Sequence, residues 1–257
     1  MEHDFTSGSV WKKLLLFAVP IFGANLLQAL YGTVDLFVVG LFADASAVSA
    51  VSTGSMMMQT ITGIITGLTM GCTVLLGQNI GKKDEAAAER TVGSALWLFV
   101  TVGILLAVIV AVLAVGIASV INAPAEAFSQ TTDYIRICGI GIICIVMFNA
   151  IGRMFRGLGD ARTPLALMGV VCVVNIAGDF ALVGALKMGV AGAALATVAV
   201  QGILSTFLVR IPVSYAMSKV SGVTLFQIGF ATPLATVFGL ILSASCVIYY
   251  ERKRKKA

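Results

Sequence analysis

Charged residues stand in short clusters along this chain, and between them the sequence stays apolar for long distances. Uncharged runs cover 14–34, 45–81, 91–125, 188–209 and 220–250. Each exceeds the roughly 18 apolar residues that read as a helix crossing a bilayer. The pattern predicts seven apolar spans, near 12–38, 47–78, 92–120, 128–152, 163–185, 189–217 and 226–250. Turn-forming residues fall between them at Asn122-Ala-Pro124, Gly157-Leu-Gly159-Asp160 and Gly222. The fold class that follows is all-α, a polytopic transmembrane helical bundle.

Composition narrows the function. Of 257 residues, 59% are apolar and 11% charged, against about 45–50% and 25% in a soluble domain. The net charge of +5 comes from loops and the tail rather than from a basic groove, which predicts no nucleic-acid partner. Cys72, Cys138, Cys144, Cys172 and Cys246 all lie in apolar runs without metal-ligand spacing, and the single histidine is His3. No transition-metal site is expected, and the cysteines read as small packing residues. No phosphate-cradling GxxxxGK[ST] loop occurs. The chain reads as no enzyme and needs no cofactor; anything it moves uphill must draw on an ion gradient.

Lysines and arginines set the orientation. Lys12, Lys13, Lys82, Lys83, Arg90, Arg153, Arg156 and Arg162 fall at one set of span ends, and only Arg136 and Lys187 at the other. This predicts a cytoplasmic N-terminus in a multi-pass cell-membrane protein. Seven spans would then leave the tail outside, yet Glu251-Arg-Lys-Arg-Lys-Lys256 carries five basic residues suited to the cytoplasm. Segment 189–217, with Pro212, accommodates the conflict either as one kinked helix or as two partial helices that dip in and return.

Ionisable side chains inside spans are costly and therefore informative. Asp35 closes the run Asn25-Leu-Leu-Gln28-Ala-Leu-Tyr31-Gly-Thr33-Val-Asp35, and Asp179 follows Asn175 by one helical turn on the same face. A carboxylate beside an amide oxygen suits a proton or a hard cation such as Na+. Counting helix rise places Asp35, Asp179 and Thr197 at overlapping depths in the outer half of the bilayer. Plainer readings stand beside each: Asp35 as a solvated helix end, Asn175 as interhelical glue, Thr197 as a threonine bonded back to its own helix. Asp179 has no Lys or Arg in its own span. Pro20 reads as a kink.

These residues carry a resemblance. Val34-Asp35-Leu-Phe-Val-Val-Gly40, Gly71 through Gly81, Gly152-Arg-Met-Phe-Arg-Gly157-Leu-Gly-Asp160-Ala-Arg-Thr-Pro164, Asn175 to Asp179 and Gly189-Val-Ala-Gly-Ala-Ala-Leu-Ala-Thr197 resemble the multidrug and toxic compound extrusion (MATE) family of cation-coupled drug antiporters. The resemblance implies a bundle of two pseudo-symmetric six-helix lobes. Here residues 1–200 would form the N-terminal lobe and 201–257 a remnant of the second. It implies a cation site at Asp35, Asn175, Asp179 and Thr197, with Tyr134 and Gln28 lining it and Pro20 as the first-helix proline. H+ or Na+ would couple to export of lipophilic, often cationic drugs by alternating access. The family's twelve helices exceed the seven available, so the resemblance implies an internally shortened chain, which would account for the tail. One lobe cannot enclose a drug, so a homodimer would replace the missing half; membrane lipid is the other expected partner. A non-transporting remnant is the contrasting reading. A flippase for a lipid-linked precursor is disfavoured by the acidic character of the deep residues.

Overall fold

The computed structural model describes residues 10–202. The expected seventh span, the stretch 203–217 with Pro212, the basic tail and nearly all of the expected second-lobe remnant lie outside the described residues. Every described element is a helix: α1 (Val10–Phe42), α2 (Ala45–Gly81), α3 (Glu85–Val112), α4 (Ala114–Val120), α5 (Phe128–Ile140), α6 (Ile142–Gly157) and α7 (Arg162–Asp179). A π-helical turn, Phe180–Ala185, extends α7, and α8 covers Gly189–Gly202. α1, α2, α3 and α7 with its π turn are each long and apolar enough to cross a membrane.

Three short turns show why the helices begin where they do. Asp44 accepts the Ala47 N–H and the Ser46 hydroxyl at the start of α2. Asp84 accepts the Ala87 N–H at 2.9 Å before α3. Asp160 accepts the N–H groups of Arg162 and Thr163, both at 3.0 Å, at the start of α7. Each carboxylate satisfies amide hydrogens that a helix start leaves without partners. Gly159, at φ +83°, takes the left-handed conformation that lets the chain leave α6 and reach Asp160 within two residues.

Two expected spans are broken. The third divides at Leu113 into α3 and α4. The fourth bends by 56° between α5 and α6, because two glycines there admit neighbouring helices. A Cβ on Gly139 would lie 2.7 Å from Val110 of α3, and one on Gly141 would collide with Val198 of α8. α1 behaves otherwise: it continues as a helix through Pro20 and past its expected end to Phe42.

Side-chain contacts fix the helix directions. α1 and α7 run alongside each other the same way, with Gly23 in the first half of α1 against Leu165 near the start of α7, and Phe42 at the end of α1 packed edge-on against Phe180 just past the end of α7. Gly157 at the end of α6 abuts Thr73 late in α2, and Asn79 late in α2 bonds Thr91 early in α3. One end of the bundle therefore gathers the N-terminal half of α1, the ends of α2 and α6, and the starts of α3 and α7. That end carries the basic residues Lys82, Lys83, Arg153, Arg156 and Arg162. The core runs through Val38, Val51, Phe99, Ile135, Ile142 and Val146. Small buried residues on α8, from Ala191 to Ala196, let it settle close between α7 and the α5–α6 bend. α1 is buried toward its end, through Asp35, Val38 and Val39, and in its first half presents Phe22, Leu26 and Leu30 outward.

Candidate functional site

Asp35 and Asp179 belong to different helices, and their carboxyls adjoin one another. Asp35 is 5% exposed and Asp179 fully buried. Asp35 sits seven residues inside the end of α1, about 10 Å by helix rise. The solvated-helix-end reading is thus overturned, because α1 extends further than the apolar pattern suggested. Asn175, one turn before Asp179 on the same face of α7, is also buried.

Thr197 and Gln201 lie one turn apart on α8. Thr197 follows Ala196, which packs on Gly178 beside Asp179. Gln201 is buried and adjoins Tyr31 of α1, one turn before Asp35. Tyr134 of α5 is buried within electrostatic range of Asp35 and Tyr31, with Cys138 next to it. Its ring lies over Gly54 of α2, where any Cβ would strike it. Four helices and the foot of a fifth thus converge on two carboxylates.

The cluster is distinguished by missing partners. Among the described residues, nine buried polar side-chain atoms lack a hydrogen bond, and seven of them belong here: Asp35 Oδ1, both Asn175 amide atoms, both Asp179 oxygens, Thr197 Oγ1 and Gln201 Oε1. Unsatisfied buried polar groups are expensive and rarely gather by accident. Thr197 makes the point locally. Thr33, Thr60, Thr69, Thr73, Thr91, Thr101 and Thr132 each donate to the carbonyl one turn back, whereas buried Thr197 Oγ1 has no such bond. The back-bonded reading of Thr197 fails on that contrast. Six of the seven atoms are oxygens, a hard donor set matched to a small hard cation or to protons.

Of the residues predicted from sequence, Asp35, Asn175, Asp179, Thr197 and Tyr134 come together. Gln28 does not. It is exposed, two turns below Asp35, and lines a separate pocket with Arg153 and Arg156. Sequence reasoning overlooked Gln201 and Tyr31. The i, i+4 spacing of Thr197 and Gln201 repeats that of Asn175 and Asp179 and was the available signal.

Comparison with known proteins follows the same lines. A family profile described as MatE matches residues 20–181. The chain is 31% identical over 205 residues to "Probable multidrug resistance protein YoeA" of Bacillus subtilis, covering 78% of this chain and 44% of that protein. It is 29% identical over 201 residues to "Probable multidrug resistance protein YpnP" of the same organism, covering 78% and 45%. The chain thus spans about half the length of the curated relatives it matches. Among solved structures, one described as MATE in the bent conformation superposes with a TM-score of 0.73 at 24% identity, over 93% of this chain and 54% of that one. The outward-facing conformation of a multidrug resistance MATE family transporter of the MOP superfamily superposes with a TM-score of 0.72 at 23% identity, over 92% and 52%.

Proposed function

The chain belongs to the MATE family, whose members are membrane transporters, and we propose that it is a cation-coupled antiporter exporting lipophilic, often cationic compounds across the cell membrane. Asp35, Asn175, Asp179 and Thr197 form its cation or proton site, with Gln201, Tyr31 and Tyr134 around them. The observation that carries this reading is the gathering of seven unpartnered polar atoms about two adjoining buried carboxylates. Two such carboxylates cannot both stay charged in a desolvated setting without a counter-ion. Uptake of Na+ or H+ neutralises them and draws α1, α5, α7 and α8 onto one centre. Release leaves them repelling, and that difference between loaded and empty states is what couples ion flow to a change of access. A cationic substrate profits from the empty, negative state and is expelled by the loaded one.

Residues 1–200 act as one lobe and 201–257 belong to a second. The wall facing the lobe across the substrate path is supplied by a second copy of the chain, and the N-terminus faces the cytoplasm with the basic helix ends. Cross-linking through single cysteines introduced at exposed positions of α2, such as Met56 and Ile64, tests the pairing, and a terminal reporter tests the orientation.

Export is tested in a host stripped of its own pumps. Cells producing the chain should retain less cationic dye than cells carrying an empty vector, and Asp179→Asn should restore retention at equal membrane abundance. Retention equal to the vector for the unaltered chain would refute export.

A further inference from the structure

Beneath the acidic cluster, toward the basic end of the bundle, a second site opens between α1, α6 and α7. It is a small pocket of about 50 Å³ that opens to the surface, room for a single phosphate-sized group rather than for a whole drug-sized molecule. Its polar lining is Asn25 and Gln28 on α1 and Asn149, Arg153 and Arg156 on α6. Among the described residues no carboxylate lines it. Arg153 and Arg156 are three residues apart on one face of α6 and both only half-exposed.

Their fixed partners leave capacity unused. Arg153 donates from Nη2 to Thr66 Oγ1 at 3.1 Å. Arg156 Nε is buried with no acceptor. The nearest acid in sequence, Asp160, is engaged through Oδ1 with two backbone amides. The end of α6 offers carbonyls that favour positive charge, which explains one arginine there but not a lined cavity with an unpartnered guanidinium edge. Two half-buried guanidiniums at membrane depth call for an anion, and their planar forks match phosphate oxygens two at a time.

The surroundings favour one source of that phosphate. Phe148 and Met168 form an apolar wall, and outside it Phe22 and Leu26 of α1 and Val170 of α7 stand exposed where acyl chains would lie. Basic pockets between transmembrane helices at the cytoplasmic side are suited to anionic headgroups.

We propose that this pocket binds the phosphodiester headgroup of an anionic phospholipid, with Arg153 and Arg156 gripping the phosphate and Asn25, Gln28 and Asn149 addressing its ester or glycerol oxygens. The site is separate from the proposed cation site and does not depend on export. It is tested on the full chain in detergent by native mass spectrometry with phosphatidylglycerol or phosphatidylcholine. Phosphatidylglycerol should be retained roughly tenfold more strongly, and Arg153→Gln with Arg156→Gln should bring it to the phosphatidylcholine level. Lys82→Gln with Lys83→Gln removes equal charge from the α2–α3 turn and should leave the preference intact. Phosphatidylglycerol that survives excess inorganic phosphate assigns the lipid; displacement by phosphate assigns the phosphate group alone. Equal retention of the two lipids, or an unaltered preference in the double arginine variant, overturns the proposal. Should that variant not survive purification, Asn25→Leu with Gln28→Leu, at exposed positions of α1, should weaken the preference about threefold; no change there overturns it equally.

Discussion

The helical bundle carries two polar regions of opposite character along α1. Around Asp35 and Asp179 nearly everything unsatisfied is an oxygen, enclosed by four helices and closed to the surroundings. Around Arg153 and Arg156 of α6, beside Asn25 and so ten residues or about 15 Å below Asp35 on α1, the charged groups are donors and the pocket opens outward. Neither region balances its charge internally. A soluble protein would pair such groups with each other or with water; here each is left for something that arrives and departs. Enclosure separates the roles: a closed acidic centre suits a bare ion, an open basic one a headgroup with its tail in the bilayer.

The sharpest way to break this contrast is to neutralise the carboxylates. Asp35→Asn and Asp179→Asn should each lower dye export to the empty-vector level while membrane abundance is unchanged, and leave the preference for phosphatidylglycerol over phosphatidylcholine in place. Next in size is the stabilisation that an ion confers by filling the acidic centre. If Na+ is the occupant, thermal melting in detergent with sodium at a hundredfold its dissociation constant should gain about 2.7 kcal/mol over choline chloride of equal ionic strength. The gain should vanish in Asp179→Asn, and a melting point indifferent to both sodium and pH would remove the premise.

Packing gives a smaller effect. Gly54→Ala drives a methyl group into the Tyr134 ring and should cost about 2 kcal/mol while weakening the sodium response. Gly71→Ala on the same helix meets nothing within 4 Å and should leave the sodium response unchanged while stabilising the helix by up to about 1 kcal/mol. Smallest is Asp84→Ala, which removes the cap of α3, a helix that lines neither region, and should cost about 1 kcal/mol, with ion and lipid responses intact.

The spans were legible because a bilayer imposes length and apolarity on any helix that crosses it. Their breaks were not. Gly139 and Gly141 are as apolar as their neighbours, so the α5–α6 bend has no signature in hydropathy and follows only from the approach of α3 and α8. Asp35, Asn175 and Asp179 stood out because charge inside a span is rare. Gln201 did not, since an amide in an uncharged run resembles ordinary interhelical glue until Tyr31 is found beside it. Gln28 was drawn to the wrong region by its place in the Asn25–Asp35 run; two turns of helix separate it from Asp35 in depth, and sequence proximity conceals that distance.

α1 holds Asn25, Gln28 and Asp35 on one uninterrupted stretch, packed on α7 from Gly23 onward, on its π-helical turn at Phe42, and on α2 where Gly40 meets Val48. Such a rod cannot lean at one end alone. A tilt that draws Asp35 from Asp179 also swings the amides that stand before Arg156, so loads arriving at opposite depths bear on a common beam. By reciprocity each occupant's hold then depends on whether the other is present, and a binding isotherm for one that ignores saturation with its counterpart would show that the beam flexes between them.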